Sequence, residues 1–473
     1  MKNKYYITTT LPYVNSSPHI GFAAEVIRAD VLARYNRQLG NDVFFNTGTD
    51  EHGLKIFRNA EEQGVTAQEY CDGFAAEFTK LKETLNLSFD NFIRTTDEYH
   101  IKAAQEFWKR CEANGDIYKK NYKVKYCVGC ELEKTESELV DGKCPVHPNQ
   151  EIEEIEEENY FFRWSNYQEK LLKLYKDNPD FVIPKHRLTE IKNFVESGLN
   201  DFSISRLKEK MPWGISVPGD EDHVMYVWFD ALTNYVNTLG WPEGENFKNF
   251  WPGMQVAGKD NLRQQSAMWQ AMLMSAGLAP SEQVLIFGFI TSGGQKMSKS
   301  LGNVINPIEL VEKYGIAAVR YFLLSELVPF EDGDFTIEKF EEAYNVNLAN
   351  GLGNLVSRTA NLIGKNEIEI DIKENSDKDF EGNVKKKMDI YRFDEAMRVI
   401  WGKIKESDEF LSNKAPWKME DKQEIKEVLE IVAQNVLNIA YHLKPFLPGI
   451  AEKITEQYTQ KQITKGDPMF PRV

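Results

Sequence analysis

Cysteine is scarce in this 473-residue chain: there are five, an odd number, and three of them fall between positions 127 and 144. That count and clustering exclude a disulfide framework and suit metal binding in a reducing compartment. Basic residues are also in deficit, with 57 Lys and Arg against 73 Asp and Glu, a formal charge of −16. The balance argues against a uniformly basic nucleic-acid binder but leaves room for a local basic patch. Nothing approaches the roughly 18–20 consecutive apolar residues of a membrane span. The opening "MKNKYYITTTLPYV" has neither an apolar core nor a small-residue cleavage site, so no signal peptide is expected. A cytoplasmic protein without membrane association is the expectation. Repeats and low-complexity segments are absent as well.

What remains is an ordinary globular composition, 42% hydrophobic and 27% charged. At roughly 100–200 residues per domain, the length predicts two to four domains. "YYITTTLPYV" (5–14) is β-branched and aromatic and reads as a strand. A helix follows, with Ser16 or Ser17 as cap, Pro18 in its first turn and Gly40 at its end. "NDVFFNTGTDEHG" reads as a second strand running into a polar loop. Strand, helix, strand in that order predicts an α/β fold with a parallel, doubly wound sheet. Residues 55–114 read as helical throughout, and the acidic run "EIEEIEEE" at 151–158 as a solvated face. Strands and helices alternate again up to about residue 300. Beyond Asp334 the pattern is amphipathic helix, apart from a short β-like "NEIEIDIK".

Three patterns carry chemistry. In "PHIGF" (18–22) a strand end meets a helix start, which presents backbone N–H groups and a positive dipole end to an anion. Gly21 lets a flat group approach, and His19 is placed to donate to a phosphate oxygen. "GQKMSKSLGN" (294–303) is a glycine-flanked loop with two lysines, Lys296 and Lys299. Cys127-x2-Cys130 and Cys144-x2-His147 offer three thiolates and an imidazole, enough to close a tetrahedral zinc site with no open position. Such a site is structural. Cys71 and Cys111 lie on helical patterns and are expected in the core.

"PHIG" near the start and "KMSKS" some 275 residues later resemble the two signatures of the class I aminoacyl-tRNA synthetases. Adding "TTTLPYVN" (8–15), "YVWFDALTNYV" (226–236) and "AGKDNLRQQSAMWQAML" (257–273), the chain is similar to the methionyl-tRNA synthetase family nearly end to end. The resemblance implies a Rossmann-like catalytic domain split into residues 1–116 and 211–290. Between them, 117–210 would be a connective insertion with the zinc knuckle and no room for an editing domain. The lysine loop and stem-contact region would span 291–335, and a helical anticodon-binding domain 336–473. The implied activity joins methionine to tRNA(Met), the initiator included, through an ATP-made adenylate with Mg2+, and one structural Zn2+ per chain. With no C-terminal dimerising module seen, a monomer is expected.

Carried onto this sequence, the resemblance assigns Pro18, His19, Gly21, Gly258, Asp260, Lys296, Met297, Ser298 and Lys299 to ATP. His19, Lys296 and Lys299 would be catalytic. Leu11, Tyr13, Trp228, Ala231, Leu232, Tyr235, Gln265 and Trp269 would enclose the methionine side chain, and Asp50 would hold its ammonium group. Trp228, Ala231, Leu232 and Tyr235 stand at i, i+3, i+4 and i+7, one helical face. Gln265 and Trp269 are i, i+4. Asn354, Arg358 and Trp417 would read the anticodon by hydrogen bonding and stacking. Three positions depart from the family: Phe22, Gln265 and Phe287 stand where it often has histidine. Phe22 cannot donate to a phosphate. The expected compensation comes from Lys296, Lys299 or backbone amides, the alternative being a catalytically weak tRNA- or methionine-binding relative.

Overall fold

The computed structural model describes residues 2–130, 132–134, 136–297 and 302–471. The chain forms two compact units, one of Met1–Pro18, Asn41–Lys80 and Phe89–Ile286, the other of His19–Gly40, Leu81–Ser88 and Phe287–Val473.

The first unit is built on a six-stranded sheet of β1 (Lys4–Thr9), β2 (Asp42–Thr49), β3 (Asn91–Arg94), β7 (Val182–Ile183), β12 (Met254–Gly258) and β13 (Gln283–Phe287), in the order β3-β2-β1-β12-β13-β7. The pairings between neighbouring strands that the register defines are parallel. The expected doubly wound α/β architecture is therefore present. β1 is shorter than the 5–14 expected, because Pro12 cannot donate to a ladder. β3 interrupts the region read as continuous helix; four residues are too few for a period-2 pattern to declare itself. β7 joins this sheet although it lies within 117–210.

Residues 117–162 form most of an antiparallel sheet, β5-β4-β6-β8, from β4 (Ile117–Cys127), β5 (Leu132–Lys134), β6 (Glu153–Phe162) and β8 (Phe202–Ser203). The acidic run keeps Glu151, Glu154, Glu156 and Glu158 exposed, as the solvated-face reading expects, but it is not a loop. It is mostly strand β6, laid against the lysine-rich β4 so that Lys123 stands opposite Glu156 and Lys125 opposite Glu154. Lys123 Nζ reaches Glu154 at 2.9 Å. A small sheet of β9 (Ser205–Leu207), β10 (Ser216–Val217) and β11 (Asp220–Met225) follows. The core of the unit is aromatic: Phe107 stacks on Trp269 at 5.5 Å and Trp108 meets Phe229 edge-on at 5.2 Å. Cys71 and Cys111 are buried, as expected.

The second unit contains the helix Ile20–Gln38, which ends at Leu39 with Gly40 at φ +86°. It also holds a three-stranded sheet of β14 (Ile290–Ser292), β15 (Gln295–Lys296) and β16 (Gly333–Phe335). From residue 337 onward the regular elements among the described residues are all helices, including Asn354–Asn366, Phe393–Lys414 and Lys422–Leu443. "NEIEIDIK" forms no strand: the helix runs to Asn366, Glu367 turns left-handed at φ +51°, and 368–373 carry no regular structure.

A buried ion pair ties this unit together. Arg320, fully buried, meets Asp30 at 2.8 Å and donates to the carbonyls of Phe446, Pro445 and Leu85. Asp30 also accepts from Arg34 and from both Ser88 groups. Arg320→Met would leave these carbonyls and a buried carboxylate short of donors. The expected loss is about 3–5 kcal/mol, read as a lowered urea midpoint for the second unit.

Candidate active site

In the first unit, strand order reverses between β1 and β12. In doubly wound sheets the crevice beyond the carboxyl ends at such a point is where ligands bind. Three loops leave those ends. The loop after β1 carries Leu11 and Tyr13, and that after β2 carries Asp50. A main-chain bridge joins Tyr13 to Asp50, with Asp50 N donating to Pro12 O at 3.0 Å. Asp50 is 8% exposed, so its carboxylate lies mostly out of water. Gly258 ends β12, and a 3-10 turn, Lys259–Asn261, follows it, on which Asp260 is exposed.

The helices Val227–Leu232 and Asn234–Asn237 bring Trp228, Ala231, Leu232 and Tyr235 to one face, the last three buried. Gln265 lies in a π turn, Gln264–Met268, rather than in an α-helix. Its Nε2 donates to Tyr235 Oη at 2.6 Å, and Trp269 meets the Tyr235 ring edge-on at 5.8 Å. Among the described residues Trp228 Nε1, Trp269 Nε1 and Gln265 Oε1 are buried without hydrogen-bond partners. Unsatisfied buried polar atoms are rare in folded proteins and mark places where a ligand or water completes the set.

Sequence reasoning missed the buried charges behind this face. Glu51 receives Arg94 through two bonds of 2.7 and 2.8 Å, with Thr49 and Thr96 hydroxyls at 2.6 Å each. Asp230, fully buried, lies 2.6 Å from His52 Nδ1 and 2.7 Å from His100 Nε2. Burial pushes the Asp230 carboxyl up, but the two imidazoles outweigh it and hold the group below its usual range. A sequence shows these as acids on a loop and a helix; only the fold supplies their partners.

In the second unit, His19 itself caps the helix Ile20–Gln38, not Ser16 or Ser17. Its Nδ1 accepts from Gly21 N at 3.1 Å and Phe22 N at 3.4 Å. Those amides therefore face the imidazole, and the proton of the neutral ring sits on Nε2. The folded-back ring explains Gly21, since a Cβ there would lie 2.9 Å from His19. Met297 Cε lies 3.8 Å from the same point, and Ile20 N donates to Ile305 O at 3.0 Å. The helix start and the two sides of the lysine loop thus converge. Lys296 ends strand β15, paired with Thr291, while Ser298 and Lys299 lie outside the described residues. Asp334 holds the hairpin, accepting from Gly294 N at 2.7 Å and Thr291 Oγ1 at 2.8 Å. Phe22 is half-buried. Phe287 is buried against Phe330 and Phe393, with the Arg28 guanidinium 4.9 Å from its ring.

Cys127, Cys130, Cys144 and His147 place their ligand atoms within 4.8 Å of one another. Cys130 Sγ is 3.5 Å from Cys144 Sγ and 3.2 Å from His147 Nδ1. Three sulfurs and one nitrogen this close match a tetrahedral zinc donor set. Gly129 makes the approach possible, since a Cβ there would fall 2.6 Å from the His147 ring. In the helical region the Arg358 guanidinium stacks 4.6 Å from the exposed Trp417 ring and donates to Asp408 and Ser412, both at 3.1 Å. Asn354 is exposed one turn earlier on the Arg358 helix.

A family profile described as "tRNA synthetases class I (M)" matches residues 5–155 and 134–360. A methionine–tRNA ligase of Nostoc sp. is 44% identical over 96% of this chain and 89% of its own length. One from Caldanaerobacter subterraneus is 42% identical over all of this chain and 79% of its own length. Mycobacterium tuberculosis methionyl-tRNA synthetase in complex with methionyl-adenylate superposes with a TM-score of 0.92 at 37% identity, covering 100% of this chain and 99% of that one. Sheet order, helix start and likeness along the whole length agree: the chain belongs to the methionyl-tRNA synthetase branch of the class I tRNA synthetases.

Proposed function

We propose the following division of labour for a methionine–tRNA ligase built on this chain. The observation that carries it is the convergence of Gly21, Met297 and the Ile20–Ile305 hydrogen bond, which puts the histidine-capped helix start beside the lysine loop.

Methionine lies with its ammonium on Asp50 and its thioether chain against Leu11, Tyr13, Trp228, Ala231, Leu232, Tyr235, Gln265 and Trp269. A carboxylate largely removed from water makes a strong charge-assisted partner for an ammonium. Gly258 gives the nucleoside close approach and Asp260 accepts from its ribose hydroxyls. Pro18, His19, Gly21 and the Lys296–Lys299 segment receive the phosphates. The methionine carboxylate forms a bond to the α-phosphorus, and the bond to pyrophosphate breaks. His19 donates from Nε2, because Nδ1 is occupied as an acceptor, and Lys296 and Lys299 neutralise the charge growing on the phosphate oxygens. Mg2+ accompanying ATP would share that charge. A ribose hydroxyl at the tRNA 3′ end then attacks the adenylate carbonyl, and AMP leaves.

Cys127, Cys130, Cys144 and His147 would hold zinc, which supplies a closed cross-link to the insertion. Asn354, Arg358 and Trp417 form the anticodon-reading surface. In the same reading the enzyme works as a cytoplasmic monomer and charges initiator as well as elongator tRNA.

Methionine-dependent ATP–pyrophosphate exchange tests the first step. Phe22→His is expected to exchange at the wild-type rate or faster, by up to ~10²-fold if the added donor reaches phosphate; complete loss would contradict the placement of this helix start. Elemental analysis is expected to find one zinc per chain. Cys130→Ser should release it and lower tRNA charging by about 10-fold or more relative to exchange. Trp417→Ala should remove one base stack, about 1–3 kcal/mol, and raise the KM for tRNA in steady-state charging.

A further inference from the structure

We propose that His52 and Asp230 are positioning residues for the amino-acid site. Their shared hydrogen bond couples the loop carrying Asp50 to the helix carrying Trp228, Ala231 and Leu232, and the inference rests on the pocket assignment above.

His52 follows Asp50 by two residues, and Asp230 lies between Trp228 and Ala231. On a helix, residue 230 is about 100° round from 231, so Asp230 anchors the helix from behind its pocket face. The pair is 2.6 Å apart, with His52 4% exposed and Asp230 fully buried. The second carboxylate oxygen takes His100 Nε2 at 2.7 Å from the helix Glu98–Ala113.

His52 Nδ1 and His100 Nε2 each face one oxygen of the Asp230 carboxylate, and the Asn237 amide lies 3.2 Å from His100 Nδ1 on the far side of that ring. Three elements meet on one carboxylate. Apolar side chains of similar volume often stabilise such a place as well as a buried polar cluster does. What hydrogen bonds add is direction, fixing the loop and the helix relative to each other. The Trp213 ring covers His52 at 5.5 Å, and its indole donates to Glu51 O on the same loop. The ammonium carboxylate and the side-chain face then present one geometry to the amino acid.

The test is exchange kinetics on the full chain, with KM for methionine separated from KM for ATP. His52→Leu should raise the methionine KM by about 10-fold or more and leave the ATP KM within about twofold. His52→Asn, whose amide nitrogen stands where Nδ1 stood, should restore the methionine KM to within about threefold. A general loss of structure would lower the active fraction without this selective change or rescue. The wild type gives an independent readout. With only seven histidines, imidazole-15N labelling should resolve the His52 Nδ1–H signal, identified by its loss in His52→Asn, and methionine alone should shift it. A folded His52→Leu protein with unchanged methionine KM, a His52→Asn protein no better than His52→Leu, or a static signal at saturating methionine overturns the coupling. Absence of exchange by the wild type overturns the ligase reading and the coupling with it.

Discussion

Parallel pairing of β1 with β12 is the constraint on which the first unit depends. Ile7 pairs with Met254, Thr8 with Gln255 and Thr9 with Val256, joining segments nearly 250 residues apart. Leu11 and Tyr13 follow one strand of this pair, while Gly258 ends the other and Asp260 follows it, so the proposed amino-acid and nucleoside contacts would exist only once the pair has formed. The entropy of closing a long loop grows only logarithmically, about 0.6 kcal/mol for each doubling of length. Most of the intervening chain can therefore be inserted cheaply, provided it orders itself. It does so through the antiparallel β4–β6 sheet and the Cys127–His147 donor cluster.

The outline of this fold was legible because long strands and long helices announce their periods. β1, the helix to Gln38 and β2 read directly, as did the helical character beyond residue 337. β3 and β7, of four and two residues, owe their existence to neighbouring strands and leave no local pattern. The cysteine spacing translated into converging ligand atoms because C-x2-C turns are local. The helix cap did not translate, since Ser and Pro are the usual signals and a histidine bonding the second and third amides is outside that preference. Nor did the partners of Glu51 and Asp230, whose charges are compensated by residues far away in sequence. The π turn at Gln264–Met268 was equally hidden, although Gln265 and Trp269 still come to Tyr235.

The departures at Gln265 and Phe287 are each accommodated by their surroundings. At 265 the amide donates to the Tyr235 hydroxyl. Phe287 sits in an aromatic cluster with Arg28 over its face, an arrangement in which the ring quadrupole favours the cation. Burial pulls the Arg28 guanidinium down to about 10, with Glu25 and Asp394 opposing. It remains charged at neutral pH, and a protonated imidazole at 287 would face that charge. Phe22 differs in kind: in the proposed reading it brings no side-chain donor to the phosphates.

The charge pattern of β4 and β6 bears on how the chain behaves before it is folded. β4 is long, with three tyrosines, an isoleucine and a valine among its eleven residues, side chains that favour association of identical strands. Its four lysines oppose any in-register stack of copies of β4, and the glutamates of β6 do the same for β6. The two strands carry opposite charge and lie about thirty residues apart in the same chain, so each offers the other a complementary partner. The ladder therefore disfavours stacking of like copies of either segment, while the β4–β6 pairing sets lysine against glutamate.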